Sequence, residues 1–367
     1  MIEDIEMQKR FFFPVCNQEE IERIFNVQSA ADYLLKLRAE TIVDHMRLFR
    51  VYRNKALSNE ENWSLEGSFD DTHYDIFINS LPDDEKSRSL AVTYGNMFSN
   101  DPNGSIFKTE YGPIITISDS IRFFLKFSHL AIMYLGNEVP PHVRLNSLRI
   151  AIRVMLETEA MDFLMDPRGI LPYHIGKEIH TPIPRQMQFI AGHELAHYLL
   201  GHVSANNVDD KPIFYAISKN DEDYKPQKVY TQSVQDELEA DIQAVLLPQL
   251  PPDQRAELIE AALLWFSCLD LYESVSGVFF PRSPSTAITH PSAIERIDNL
   301  LTGLPATLEI DKSSWQQHIN NLDEFKKFLQ DDVSLHFDEY EKYGSAYLDE
   351  PNTEWRGRKL IDRVDYY

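Results

Sequence analysis

One pentapeptide constrains this chain more than any other stretch: His193-Glu194-Leu195-Ala196-His197, the pattern HExxH. On an α-helix, residues i and i+4 share a face, so both histidines can grip one metal ion. The flanking Phe189, Ile190, Ala191, Leu199 and Leu200 predict a nearly apolar helix from about 186 to 200, with Gly201 as its C-cap. On a buried helix, two histidines and a glutamate need partners.

A catalytic zinc takes three protein ligands and keeps one position for water. The third ligand should come from another helix, downstream. A helix expected from about 232 to 247 carries Glu237 and Asp241 at i and i+4. Alone, that pair reads as an acidic helix surface. Beside HExxH, Glu237 reads as the third ligand of one Zn2+ ion, and Asp241 as the acceptor for a ligand histidine's other N–H. Glu239 points elsewhere, toward solvent. Glu194 is then the general base for a water activated by the metal. His290 is a candidate catalytic group that stabilises the oxyanion, with a structural role as the alternative. Tyr198 faces away from the ligands and belongs to the core. His202 falls one residue short of the extended HExxHxxGxxH pattern, so it is expected outside the ligand set. His174 and His180 lie on a Pro-rich connector, 171–185, without partners at ligand spacing.

The rest of the chain is read more coarsely. Residues 18–57 predict a packed helix or helical hairpin with a solvated face, capped by Asn17 and with a late basic end at Arg47, Arg50, Arg53 and Lys55. Residues 58–75 and 79–89 read as acidic surface loops around a short segment, 74–78. After the turn signal Asn100-Asp101-Pro102-Asn103-Gly104, a strand pair is expected at 105–109 and 113–118. Helices follow at 121–135, capped by Ser118 or Asp119, and at 142–165. Residues 204–231 read as a polar insertion, or as a lid over the cleft. Pro252 opens a long helix to about 276, and further helices are expected at 292–301 and around 314–343. The fold class is α+β, mainly α-helical, with a small sheet before the HExxH helix. Boundaries near 104 and 302 divide the chain into 1–104, a helical region; 105–301, the catalytic domain; and 302–367, an acidic, partly helical region.

Composition narrows the partners. The formal net charge of −23 opposes phosphate backbones, so no nucleic acid is expected. The two cysteines, Cys16 and Cys268, form no thiolate cluster and suit a reducing compartment. The N-terminus is acidic where a signal peptide is basic, and the apolar run 261–280 carries Asp270 and Glu273, so no membrane insertion is expected. These point to the cytoplasm.

HELAH followed by Glu-x-x-x-Asp resembles the gluzincin metallopeptidases. Thr289-His290-Pro291 through Glu295-Arg296-Ile297 is similar to a segment of the branch that includes the membrane heat-shock and prenyl-protein peptidases. The same residues resemble the phage-exclusion peptidase Lit family, in which a strand and an apolar helix precede the motif. The run from Phe189 to Leu200 is also similar to the ImmA/IrrE type, although Asp241 stands where that type carries Asn. The resemblance spans roughly 105–300. It implies a zincin-like domain with His193, His197 and Glu237 as ligands and Glu194 as base. It further implies a zinc-dependent endopeptidase acting on a protein or peptide substrate, in a bacterial stress or phage-defence role. By analogy with strand-adding peptide sites, the substrate is expected along an edge near Ile114 to Ser118. Two alternatives remain: a metal-stabilised binding or regulatory protein without turnover, and a zinc hydrolase that does not cleave peptides.

Overall fold

The computed structural model describes residues 2–13, 15–99, 103–203, 208–211, 227–280, 291–308 and 310–348. The fold is α+β and mainly helical, with one small sheet. Six helices come first: α1 (Ile2–Phe12), α2 (Gln18–Phe25), α3 (Ala30–Asp44), α4 (Met46–Ser58), α5 (Thr72–Asn79) and α6 (Asp83–Ser89). Strands β1 (Thr93–Met97), β2 (Gly104–Thr109) and β3 (Gly112–Ser118) follow, then α7 (Ile121–Ile132), α8 (Pro141–Met155), α9 (Tyr173–His180) and α10 (Ile183–Leu200). The remainder comprises β4 (Val208–Lys211), β5 (Gln227–Tyr230), α11 (Val234–Leu246), α12 (Pro252–Phe279), α13 (Ala293–Gly303) and α14 (Lys312–Glu341).

Helix α10, the HExxH helix, is the centre of the packing. It touches α5, α11, α12, β2 and β3, and most of its side chains are buried. An all-round apolar helix can be satisfied only in such an enclosed position. It ends at Gly201, whose φ of 79° lies in the left-handed region that a side chain disfavours. Arg88 of α6 donates to the Leu199 carbonyl at 2.5 Å, so the last turn of α10 is also tied down from outside. Helix α11, which packs on it, and α13, which packs on α11, are locally specified. Ser233 and Asp236 form a capping box at the start of α11, and Ser292 and Glu295 form one at the start of α13.

The sheet order is β1-β3-β2-β5-β4. β1 runs parallel to β3, and the other pairings are antiparallel. The expected strand pair is present as the β2–β3 hairpin. β3 is paired on both sides, so the expected substrate position at Ile114 to Ser118 has no free edge, and that reading is corrected. The outer edge of β1 is closed by side chains. Arg38 of α3 donates to the Asn96 carbonyl at 2.6 Å, Asp71 accepts from the Asn96 N–H at 2.6 Å, and the two side chains pair at 2.7 Å. An ion pair thus occupies the place of another strand.

Several boundaries differ from expectation, for identifiable reasons. Residues 18–57 make three helices, and the Asn17 capping box with Glu20 is formed. Arg47 of the basic end is buried and pairs with Asp162 at 2.9 Å. The segments read as acidic loops contain α5 and α6. Tyr74, Phe77 and Ile78 bury one face of α5, and α6 sets Asp83, Asp84 and Glu85 at the positive end of its dipole. Neither Ser118 nor Asp119 caps α7, whose N-cap is Ser120 without a side-chain cap bond. α8 stops at Met155, ahead of Glu157 at φ 62°. The connector 171–185 contains α9, and the insertion 204–231 contributes β4 and β5.

The segment before residue 104 supplies β1 to the sheet and α5 to the packing around α10, and α14 packs on α8 and α12. Among the described residues, no helix is long and apolar enough to cross a membrane.

Candidate metal centre

The two histidines of α10 and Glu237 of α11 come together. One ligand atom from each of His193, His197 and Glu237 lies within 4.8 Å of the others, and all three residues are buried. The His193 and His197 Nε2 atoms are 3.1 Å apart. Glu237 places Oε2 3.4 Å from His193 Nε2 and Oε1 3.6 Å from His197 Nε2. The donors converge on one point because α10 and α11 pack closely, with each residue on the facing side of its helix.

The outward nitrogens are also engaged. His193 Nδ1 donates to Asp241 Oδ1 at 2.9 Å. Asp241 is fully buried and gripped by Arg296 of α13, which donates from Nε at 2.8 Å and from an η nitrogen at 2.5 Å. The guanidinium also lies over the Phe266 ring, 4.4 Å from its centre, a cation–π contact. On the other ring, His197 Nδ1 meets His202 Nδ1 at 3.0 Å.

Burial disfavours charge on both ligand rings. At His193, hydrogen bonds to Asp241 and Glu237 outweigh burial and raise the pKa to about 9. At His197, burial and the adjacent His193 push it well below the usual range. Without a cation, the lone pair of His197 Nε2 therefore faces a proton on His193 Nε2. A divalent ion offers the same lone pairs a better positive partner, and a donor set of two imidazoles and a carboxylate suits zinc. The residues fit the metal that the sequence implies.

Glu194 is buried beside this group and faces the first residue of β2. A Cβ at Gly104 would lie 2.1 Å from Glu194 Oε1, so glycine alone lets the strand approach the carboxylate this closely. A cleft opens over the centre, lined by Asn103, Gly104, Ser105, Tyr230, Gln232 and Trp265 along with the residues named above.

The other expected residues are placed as follows. His290 lies outside the described residues. His174 pairs with Glu138 at 2.8 Å on the surface, and exposed His180 bonds the Gly176 carbonyl. Tyr198 packs partly buried against the core. Glu239 is half exposed, with Oε2 3.6 Å from His202 Nε2. Reasoning from residue spacing missed the roles of Arg296 and Gly104. A signal for Arg296 exists: it shares a helix face with Ala293 and Leu300, both buried, so its charge needed an internal partner.

Compared with family models, curated proteins and solved structures, the chain matches none.

Proposed function

We propose that this chain is a zinc-dependent endopeptidase of the gluzincin, zincin-like kind, acting on a protein substrate. The observation that carries this reading is the buried convergence of His193, His197 and Glu237 with Glu194 at the same cleft. A divalent ion held by those three residues supplies Lewis-acid polarisation of a carbonyl and lowers the pKa of water.

The chain's own groups account for the remaining requirements. The Glu194 carboxylate takes a proton from the attacking water and delivers it to the leaving amine. Gly104 confines that carboxylate, because the strand backbone lies against it. Asp241, anchored by Arg296, keeps His193 in the tautomer whose Nε2 faces the centre.

For the substrate chain we choose Gly104–Ile106 in place of β3. This stretch of β2 lines the cleft beside Glu194 and the candidate ligands. A reducing, cytoplasmic setting agrees with Cys16 and Cys268, both buried free thiols.

The test compares wild type with Glu194→Gln. The variant should keep stoichiometric zinc and lose peptide cleavage by about 10²- to 10⁴-fold, the usual contribution of a general base. Metal analysis and proteome-wide cleavage-site mapping read the two effects. Wild-type protein purified without chelator and free of zinc would sink the reading, as would undiminished cleavage by Glu194→Gln.

A further inference from the structure

His202 is bound to the centre without reaching it. Gly201 reverses the chain in the left-handed conformation, and the His202 N–H donates to the His197 carbonyl at 2.9 Å. The reversal lays the His202 ring against His197, with ring centroids 5.2 Å apart and planes at 64°. The two Nδ1 atoms then meet at 3.0 Å, so one of them must donate.

The surroundings decide which. His202 Nε2 faces two carboxylates of α11, Asp236 Oδ1 at 3.8 Å and Glu239 Oε2 at 3.6 Å. Asp236 is itself held by the capping bond from the Ser233 N–H at 2.9 Å. A proton on His202 Nε2 is favoured by both carboxylates, whereas a lone pair there would point at two negative charges. With Nε2 protonated, His202 Nδ1 is an acceptor, so the proton between the rings belongs to His197 Nδ1. That leaves the His197 Nε2 lone pair facing its nearest neighbour, His193 Nε2 at 3.1 Å, which also stands nearer to Glu237 (3.4 Å) than His197 Nε2 does (3.6 Å).

We infer that His202 is a positioning residue that fixes the tautomer and orientation of His197 for ion binding, an assignment that rests on the metal-centre reading above. The two ligand rings are thus oriented by different chemistry: a carboxylate acts directly on His193, and an imidazole backed by two carboxylates acts on His197.

Two measurements test this. In metal-free protein, ring ¹⁵N shifts should place the proton on Nδ1 of His197 and on Nε2 of His202. In binding assays, zinc and cobalt are titrated into metal-free protein against a chromophoric chelator. His202→Leu, which removes the acceptor, should weaken both ions by about 10- to 100-fold, the usual cost of losing such an orienting partner. It should also alter the visible spectrum of the cobalt form. His202→Gln, which restores an acceptor, should recover most of the affinity and the spectrum. Urea unfolding of each metal-free variant separates these effects from a loss of fold. An Nε2–H tautomer at His197 would overturn the assignment. So would a folded His202→Leu protein with wild-type affinity and spectrum. If wild-type protein takes up neither ion, the metal reading fails by itself, and the ¹⁵N shifts still decide the hydrogen-bond direction.

Discussion

Arg168→Met should destabilise the protein by about 3–5 kcal/mol, the range for removing one partner from a buried ionic cluster. Arg168 is completely buried. Its guanidinium pairs with Glu159 at 2.8 Å, Asp162 at 2.7 Å and Asp166 at 3.4 Å. Two other cations share the load: Arg153 on Glu159 at 2.8 Å and Arg47 on Asp162 at 2.9 Å. Three cations thus meet three carboxylates, and removing Arg168 leaves a net negative charge where water cannot reach it. The cluster also ties distant parts of the chain together. Glu159 accepts from the Ala346 N–H, the Leu348 N–H donates to the Arg168 carbonyl at 3.0 Å, and the Tyr347 hydroxyl donates to Asp166 at 2.7 Å. Methionine fills a similar volume without charge, so the loss reports electrostatics more than a cavity. Urea unfolding measures it, and a change below about 1 kcal/mol would mean that solvent or rearrangement compensates the carboxylates. A change of this size is a large share of the stability of an ordinary domain.

That cluster also marks where sequence reading fails. Asp166-Pro167-Arg168-Gly169 looks like a turn that ends a helix, and its composition is that of a surface loop. Nothing local shows that Glu159 and the segment near 346 will enclose it. β1 is hidden for a similar reason. Thr93–Met97 contains Gly95 and Asn96, poor strand formers, and its outer edge is satisfied by Arg38 and Asp71 from far upstream. By contrast, α10 to α13 and the β2–β3 hairpin are legible because their signals are local: apolar spacing, capping boxes, prolines and a Gly turn. The candidate ligands are legible for the same reason, since i, i+4 geometry places His193 with His197. The supporting contacts are not. His202 returns to His197 only because Gly201 turns the chain left-handed, a geometry that the ligand spacing of extended HExxH patterns does not include.

On the proposed zinc-peptidase reading, Gly104→Ala should abolish most hydrolysis while leaving metal binding intact. The added Cβ would lie 2.1 Å from Glu194 Oε1, 2.5 Å from Cδ and 2.7 Å from Cγ, so something must move. The strand is the stiffer partner. Gly104 is in register with Ile117 of β3, and the Ser118 N–H donates to the Asn103 carbonyl at 3.0 Å. Glu194 has a fixed helical backbone and a flexible side chain, so its carboxylate is displaced. The three atoms nearest the new methyl all belong to Glu194 and none to His193, His197 or Glu237, hence zinc content should stay at the wild-type level. Peptide hydrolysis should fall by about 10²- to 10⁴-fold, as it does when a general base is lost. Wild-type turnover in Gly104→Ala would show that the carboxylate can work from another position. The double variant Gly104→Ala/Glu194→Gln sharpens the test. If alanine acts only through Glu194, adding it to Glu194→Gln costs almost nothing more, since both changes disable the same group. If it instead blocks a substrate chain along Gly104–Ile106, the two losses multiply and the KM of the residual reaction rises.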